Sequence, residues 1–454
     1  MQLSEKYSAQ FGLIKRTLWW SLLTIPSSIV TGSFVALLLS SVDRVTSTRL
    51  YYPWLLFFLP LAGFITWFLL KRLHEKSDNI ILTGIHYADA GVTRKSAGPV
   101  FITTLLTHLC GGSAGREDAA LQIGGSIGSL FAWLFRLETT LVRVVTSSGI
   151  AAAFGAAFGI PVSGALFPLE AVKSGNFPYN ALIPCLTASI IGMLTCNFWG
   201  IHPTQFQVIF FSKLHPLFAG TFHIAPLLLL KVAGLGVASG LVSCLFFGLA
   251  GWIRYYTDKI ISLKWLIPII GGILIIMLYY LLATPDYLGL GVTSAGQQAV
   301  SIASAFKAGG AHTWSWWWKL LFAVITLGFG FRGGEIIPLL FIGATLGNVL
   351  ATLLQVPAEL FAAVGFIAVF AGAANTPFTA TFIGIELFGG QYVVYYAFAC
   401  FIAYFFSPVI QSKPGHRFIA IPKIFDTGFV KDTLLDLKIE TERFYNSKKD
   451  ASSS

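Results

Sequence analysis

Long apolar runs alternate with short polar segments along most of the chain. Four of them approach or exceed the about 20 residues that one helix needs to cross a bilayer, and they span residues 18–39, 55–70, 227–253 and 266–282. Backbone groups in lipid need partners within the protein, so these runs predict helices. Other apolar runs are broken by glycine or proline, at 111–112, 161, 333–334 and 377. Broken helices are tolerated at membrane depth only where protein buries them or they line a cavity, which favours a transport pathway over a simple bundle.

Composition narrows the class further. Of 454 residues, 55% are hydrophobic and 11% are charged, against about 25% charged in an ordinary soluble domain. The chain is therefore predicted to be an all-α polytopic membrane protein. Basic residues near both ends (Lys6, Lys15, Arg16, then Lys413, Arg417, Lys423 and Lys431) predict that both termini are cytoplasmic. We expect an integral protein of the bacterial inner membrane.

The net charge of +10 does not predict nucleic-acid binding, because the basic residues cluster beside membrane segments, where they contact anionic lipid. The five cysteines stand singly in apolar runs, at positions 110, 185, 196, 244 and 400. The eight histidines show no paired spacing. These patterns predict no metal, no cofactor and no enzymatic activity.

One unit occurs twice in the chain. Residues 115–128 (GREDAALQIGGSIG) align with 334–347 (GEIIPLLFIGATLG), with glycines at the first, tenth and fourteenth places. Residues 154–161 (FGAAFGIP) and 370–377 (FAGAANTP) follow, and nine residues beyond each proline lies a glutamate, Glu170 or Glu386. Repeats of broken helices are typical of transporters in which half-helix N-termini meet around the substrate.

Three charged residues, Arg116, Glu117 and Asp118, open an apolar run directly after a glycine-rich segment. Ionisable groups are costly inside a membrane, so their default interpretation is functional. The free amides and the positive end of the dipole make a helix start an anion site. An acidic side chain there can occupy the anion's position when charged and leave it when protonated. A helix cap in a polar loop is the alternative.

The second copy offers a similar helix start. Two glycines precede Glu335, and the amides around Ile336 and Ile337 could face the same ion, with Pro338 in the first turn. Glu335 matches Arg116 in the repeat, which allows a salt bridge between the halves. Glu170 and Glu386 could relay protons, but we favour a structural hydrogen bond from each to a neighbouring helix end.

At these residues the chain resembles the CLC family of chloride channels and anion/proton antiporters. Residues 115–125 resemble its helix F signature, in which the glutamate after Gly-Arg is the gate, residues 333–338 resemble helix N, and residues 159–167 resemble helix H. The resemblance implies an inverted repeat with many broken, tilted helices, a homodimer with one pore per subunit, and Glu117 as gate and proton carrier. We expect a cytoplasmic N-terminus at 1–16, a CLC-like transmembrane domain at 17–428 with repeat halves at about 50–200 and 260–428, and a polar cytoplasmic tail at 429–454.

Four departures from the family pattern bear on the anion. Residues 77–81 replace the family's serine motif on helix D, residues 418–420 lack its inner-gate tyrosine, and Ala171 replaces the exchangers' internal glutamate. These three are similar to the fluoride/proton antiporter branch. The fourth, Asp118-Ala119 in place of Gly-Pro, fits neither branch.

The sequence therefore predicts transport of chloride or fluoride, coupled to protons through Glu117. The anion-binding residues are predicted to be Asp78, Asn79, Arg116, Glu117, Asp118, Glu335, Ile336 and Ile337. Two alternatives stay open. One is an uncoupled chloride channel of the same fold, which Ala171 favours. The other is a cation-coupled solute symporter, in which the Glu117-Asp118 pair would bind the cation.

Overall fold

The structure, a computed structural model, describes residues 2–72, 96–171, 179–202, 226–292, 299–408 and Lys423. Every regular element in these ranges is helical. The α-helices are α1 (Gln2–Tyr51), α2 (Leu59–Arg72), α3 (Ala97–Leu109), α4 (Glu117–Leu134), α5 (Thr139–Phe158), α6 (Pro161–Ala171), α7 (Leu182–Phe198), α8 (Pro226–Ile260), α9 (Leu266–Leu282), α10 (Ile302–Ala305), α11 (Ser315–Gly328), α12 (Ile336–Leu354), α13 (Ala358–Ala374), α14 (Pro377–Phe388) and α15 (Val393–Phe405). Short 3-10 helices cover Pro53–Phe58, Tyr179–Ala181 and Gly390–Tyr392.

Five helical spans in the described ranges are long and apolar enough to cross a membrane: Trp19–Tyr51, Pro53–Arg72, Thr139–Phe158, Pro226–Ile260 and Ile336–Leu354. Six shorter apolar helices in these ranges have 10–17 residues, as the interrupted runs predicted. The prediction of an all-α polytopic membrane protein is confirmed. Helix α1 begins at Gln2, so residues 2–16 continue the first helix. They contain one glycine and no proline, and nothing in them stops a helix.

Two helix pairs are separated by the same local break. Helix α5 ends at Gly159, whose φ of +73° is left-handed, and α6 begins two residues later at Pro161. Helix α13 ends at Asn375, with φ +56°, and α14 begins two residues later at Pro377. A left-handed residue terminates a helix, and proline suits the first turn of the next because it lacks an N–H. Each break is therefore encoded locally, by a left-handed residue and the proline two residues after it.

Helix packing repeats in the two halves. Helix α1 packs on α5 and α7, and α8 packs on α13 and α15 in the same way. Helices α4 and α5 form one extensive contact, and α12 and α13 form the equivalent one. The repeat therefore reaches outward to include α1 and α8, beyond the halves that the sequence motifs delimit.

The two halves run in opposite directions. Glu170, at the end of α6, accepts hydrogen bonds from the amides of Phe378 (2.9 Å) and Thr379 (2.7 Å) at the start of α14. Glu386, near the end of α14, accepts them from Val162 (2.9 Å) and Ser163 (2.8 Å) at the start of α6. Helices α6 and α14 are therefore antiparallel, and the repeat is inverted. The predicted hydrogen bonds to neighbouring helix ends are confirmed.

The aligned glycines of the repeat serve close helix contacts. A Cβ at Gly124 on α4 would collide with the carbonyl of Gly149 on α5, and a Cβ at Gly343 on α12 would collide with that of Gly365 on α13. In both pairs the reverse holds as well. Small residues let backbones approach within a membrane, where packing drives helix association.

We expect Gly343→Ala to destabilise the folded protein by about 1–3 kcal/mol, the usual effect of overpacking, despite the higher helix propensity of alanine. Thermal unfolding in detergent measures this. Gly251→Ala on α8 is the matched control, because a Cβ there meets nothing within 4 Å. Equal melting temperatures for the two variants would contradict the role of the glycine contact.

Candidate functional site

The two repeat halves meet where α4 and α12 begin. Gly115 and Gly334 form an isolated antiparallel bridge, with each amide donating to the other's carbonyl at 2.6 Å. The amide of Ser113 also donates to Thr326 Oγ1 at the end of α11 (3.1 Å). His108 Nε2 lies 3.4 Å from the carbonyl oxygen of Gly115. These contacts hold the starts of α4 and α12 side by side.

Glu117 is the first residue of α4, and its buried carboxylate folds back onto its own helix start. Its Oε2 accepts the amide of Arg116 at 3.0 Å, and its Oε1 lies 3.6 Å from Arg116 Nε. The Arg116 guanidinium also pairs with Asp43 on α1. The predicted gating carboxylate therefore lies at the helix start, where the dipole attracts negative charge.

Asp118 points away from its own helix to the start of α12. Its Oδ2 accepts hydrogen bonds from the amide of Glu335 and from that of Ile336 (3.2 Å). Asp118 is 1% exposed, and its Oδ1 has no hydrogen-bond partner among the described residues. The Asp118 side chain, from the first half, thus binds amides at the start of α12 that the sequence predicts to bind an anion.

A small cavity lies next to this contact. Asp118, Glu335 and Ile336 line it, and its other lining residues are apolar: Phe167, Phe247, Leu339, Phe370, Ala373 and Ala374. Phe167 on α6 and Phe370 on α13 face each other with ring centroids 6.1 Å apart. The cavity joins elements of both halves and ends on the amides that start α12.

Buried basic side chains lie near the site on α1 and α11. Lys319 is fully buried (0% exposed) and donates to the carbonyls of Gly289 (2.7 Å) and Tyr287 (3.2 Å). Arg49 is buried close to Gly111 and Gly289. Arg49, Lys319 and Arg116 all act electrostatically on His108. Clustered positive charge of this kind draws anions towards the helix starts.

The structure brings together most of the predicted site residues. Arg116, Glu117, Asp118, Glu335, Ile336 and Ile337 lie around the Gly115–Gly334 bridge. Asp78 and Asn79 lie outside the described residues, as do residues 418–420. Ala171 is the buried last residue of α6.

Two charged residues at the site were not singled out from the sequence. Asp43, which pairs with Arg116, is an acid within the long apolar helix α1, and Lys319 is a base within an apolar run of α11. Ionisable residues inside predicted membrane helices are functional by default, and that signal could have found both.

Lys423 was predicted only as one of several basic residues near the C-terminus. Its Nζ is buried, pairs with Asn375 Oδ1 and donates to Ser407 Oγ (3.0 Å) and the carbonyl of Tyr404 (3.2 Å). It therefore contacts the ends of α13 and α15, where carbonyls face cations.

The chain is similar in sequence to bacterial proteins described as anion channels and exchange transporters. A chloride/fluoride channel protein of Pseudomonas syringae pv. tomato is 34% identical over 407 residues, which cover 88% of this chain and 86% of that protein. An H⁺/Cl⁻ exchange transporter of Vibrio parahaemolyticus is 25% identical over 303 residues, covering 62% of this chain and 59% of the relative.

Solved structures share the fold. A CLC-type fluoride/proton antiporter superposes with a TM-score of 0.77 at 28% identity, covering 86% of this chain and 95% of the other. A slow cyanobacterial Cl⁻/H⁺ antiporter has a TM-score of 0.68 at 18% identity, with 87% and 95% covered. The family model for voltage gated chloride channels matches residues 62–408. These matches confirm the resemblance carried by the two helix starts, and the chain belongs to the voltage-gated chloride channel family.

Proposed function

We propose that this protein moves small anions across the membrane in exchange for protons, with fluoride as the favoured anion and chloride as the second. The observation that carries the proposal is the meeting of two helix N-termini from opposite halves, joined by the Gly115–Gly334 bridge. Such termini bind anions through free amides and the helix dipole. Fluoride is favoured because of the similarity to a fluoride/proton antiporter and to a chloride/fluoride channel protein.

Glu117 is the gate in this proposal. Its carboxylate accepts the amide of Arg116, so it uses a donor that a transported anion would also need. Protonation removes its charge and weakens its attraction to the helix start, which leaves the donors to the anion. One residue thereby binds a proton and opens the anion path, which couples the two movements.

Protons also need acceptors on the cavity side. Ala171 offers no carboxylate at the end of α6, but Asp118 and Glu335 line the cavity beside the site. These two acids are the described groups that could take up a proton there. If neither does, the absence of a carboxylate at Ala171 favours the second candidate, a passive anion channel of the same fold.

A homodimer belongs to the proposal. Glu170 and Glu386 are partly exposed, beside the exposed apolar side chains of Phe378 and Val162. A carboxylate facing lipid is costly, so a second copy covering this face would shield both. The apolar runs at residues 161–199 and 377–406 include this face, which supports placing the subunit contact there.

The location is also proposed. Basic residues near both ends support cytoplasmic termini by the positive-inside rule. The bacterial relative from Pseudomonas supports an inner-membrane location.

We expect liposomes loaded with fluoride to release it faster through this protein than liposomes loaded with chloride, with protons moving inward as the anion leaves. Ion-selective electrodes and a pH electrode measure the two fluxes together. Anion release without proton movement would support the channel. Flux of potassium or sodium but of no anion would contradict anion transport itself.

Glu117→Gln should abolish proton movement and reduce the pH dependence of anion flux, because glutamine imitates the protonated gate. In the parent, flux should rise as the pH falls, since protonation frees the helix start. Flux against pH in liposomes measures both. Glu386→Gln is the control, a carboxylate on a helix start away from the cavity, and should keep the parent's profile. Full pH dependence in Glu117→Gln would show that the gate lies elsewhere.

Cysteine crosslinking tests the dimer. Phe378→Cys should give a crosslinked pair of chains with a short bifunctional reagent, because the residue lies on the proposed subunit contact. Trp252→Cys on α8 is the control, since tryptophan 252 and phenylalanine 378 are similarly exposed (51% and 55%). The native cysteines are all buried. Crosslinking through position 252 but not 378 would put the interface on another face.

A further inference from the structure

Asp118 differs from the other carboxylates that cap helix starts. Glu170 and Glu386 each have both oxygens bonded, one to a single amide and the other to an amide and a hydroxyl, that of Thr379 (2.7 Å) or Ser163 (2.5 Å). Asp118 has only Oδ2 bonded, to two amides of α12. Its Oδ1 is buried without a partner among the described residues.

A half-satisfied buried carboxylate is a poor structural cap. A buried acceptor without a donor has lost its hydrogen bonds to water, and this cost is larger when the acceptor is charged. The completed pairs at Glu170 and Glu386 show that this fold can satisfy both oxygens of a cap. At Asp118 the unsatisfied oxygen belongs to a residue that lines the cavity. An entering anion can therefore compete with Asp118 for these amides, and protonation of Asp118 weakens its hold on them.

The surrounding backbone is shaped to admit this side chain. A Cβ at Gly334 would lie 2.5 Å from Asp118 Oδ2 and 3.0 Å from its Cβ. Glycine at 334 thus leaves the space that the Asp118 side chain fills. Pro338 has no N–H, so the first turn of α12 has few free amides. Asp118 accepts hydrogen bonds from two of the amides at this helix start, those of Glu335 and Ile336.

We propose that Asp118 is a second gating carboxylate, which occupies the anion subsite formed by the Glu335 and Ile336 amides. The inference rests on the proposed function and deepens it. Two tethered carboxylates then lie in series, Glu117 on the start of α4 and Asp118 on the start of α12. An anion passing between the cavity and the Glu117 site must displace Asp118, which leaves when it is protonated.

The charges around Asp118 bear on its response to pH. Glu117 on its own helix and Glu335 at the start of α12 act on it electrostatically. The buried positions of α5, the helix packed most closely on α4, carry no charged side chain. Other ionisable groups on the elements around the helix starts include Asp43 and Arg49 on α1, His108 on α3, Arg116 before α4, Lys319 on α11 and Arg332 before α12. Glu117→Gln therefore has to accompany any test of Asp118.

The test is equilibrium anion binding to detergent-purified protein, with sodium fluoride and sodium chloride as titrants in a calorimeter. Asp118→Gly should bind the anion about tenfold more tightly than the parent at neutral pH, since a charge-assisted contact no longer competes for the amides. In a Glu117→Gln background the affinity should rise on acidification, and that rise should largely disappear when Asp118→Gly is added. Asp118→Asn keeps the shape, should show an intermediate affinity, and serves if the glycine variant does not fold.

A purely structural cap gives a different result. In that case Asp118→Asn and Asp118→Gly lower the melting temperature and leave anion affinity and its pH dependence as in the parent, which overturns the inference. Glu386→Gln, a cap away from the cavity, shows that pattern and is the control. If Asp118 variants have no effect but Glu117→Gln alters the flux profile, the proposed function stands without a second gate. If the parent neither binds nor carries an anion, the proposed function itself fails.

Discussion

Helix starts at membrane depth impose the main constraint on this fold. The first amides of a helix have no partner within the helix, and lipid offers none. Four helices of this protein each receive a carboxylate at their start. Glu386 binds the start of α6, Glu170 that of α14, Asp118 that of α12 and Glu117 that of its own helix α4. Three of these carboxylates come from the opposite half, so satisfying the amides also joins the two halves.

Carboxylate capping of helix starts has two different results in this fold. On α6 and α14 it gives a permanent contact, and on α12 it gives a contact that can be exchanged. The caps on α6 and α14 have both carboxylate oxygens bonded, with a hydroxyl completing the set. Near the cavity the contacts are incomplete, and Asp118 keeps one oxygen without a donor. A complete cap holds helices together. An incomplete cap beside a cavity leaves donors for which a mobile anion can compete.

The repeat is symmetric in packing but asymmetric in chemistry. Helices α4 and α12 each cross the next helix through paired glycines, and their preceding loops bridge through Gly115 and Gly334. The first residues differ, with Glu117 and Asp118 opening α4 and Ile336 and Ile337 opening α12. The first turn of α4 therefore supplies two acids, whereas the first turn of α12 supplies amides and its acid, Glu335, precedes the helix. This difference lets Asp118 reach across and places two carboxylates along one path.

The sequence by itself determined the membrane class, the broken helices, the repeat and the identity of the helix starts, because apolar run length, proline, left-handed glycine or asparagine and glycine spacing act locally. It also predicted that Glu170 and Glu386 bond to helix ends. Only the tertiary structure decided which helix end each acid binds. Asp118 is adjacent to Glu117 in the chain, yet its side chain serves a helix that starts more than 200 residues later. The pairing of Arg116 with Asp43 on α1 was equally hidden. Such partners follow from the inverted packing of two halves, which brings distant helix starts together, and no local pattern of residues encodes that distance.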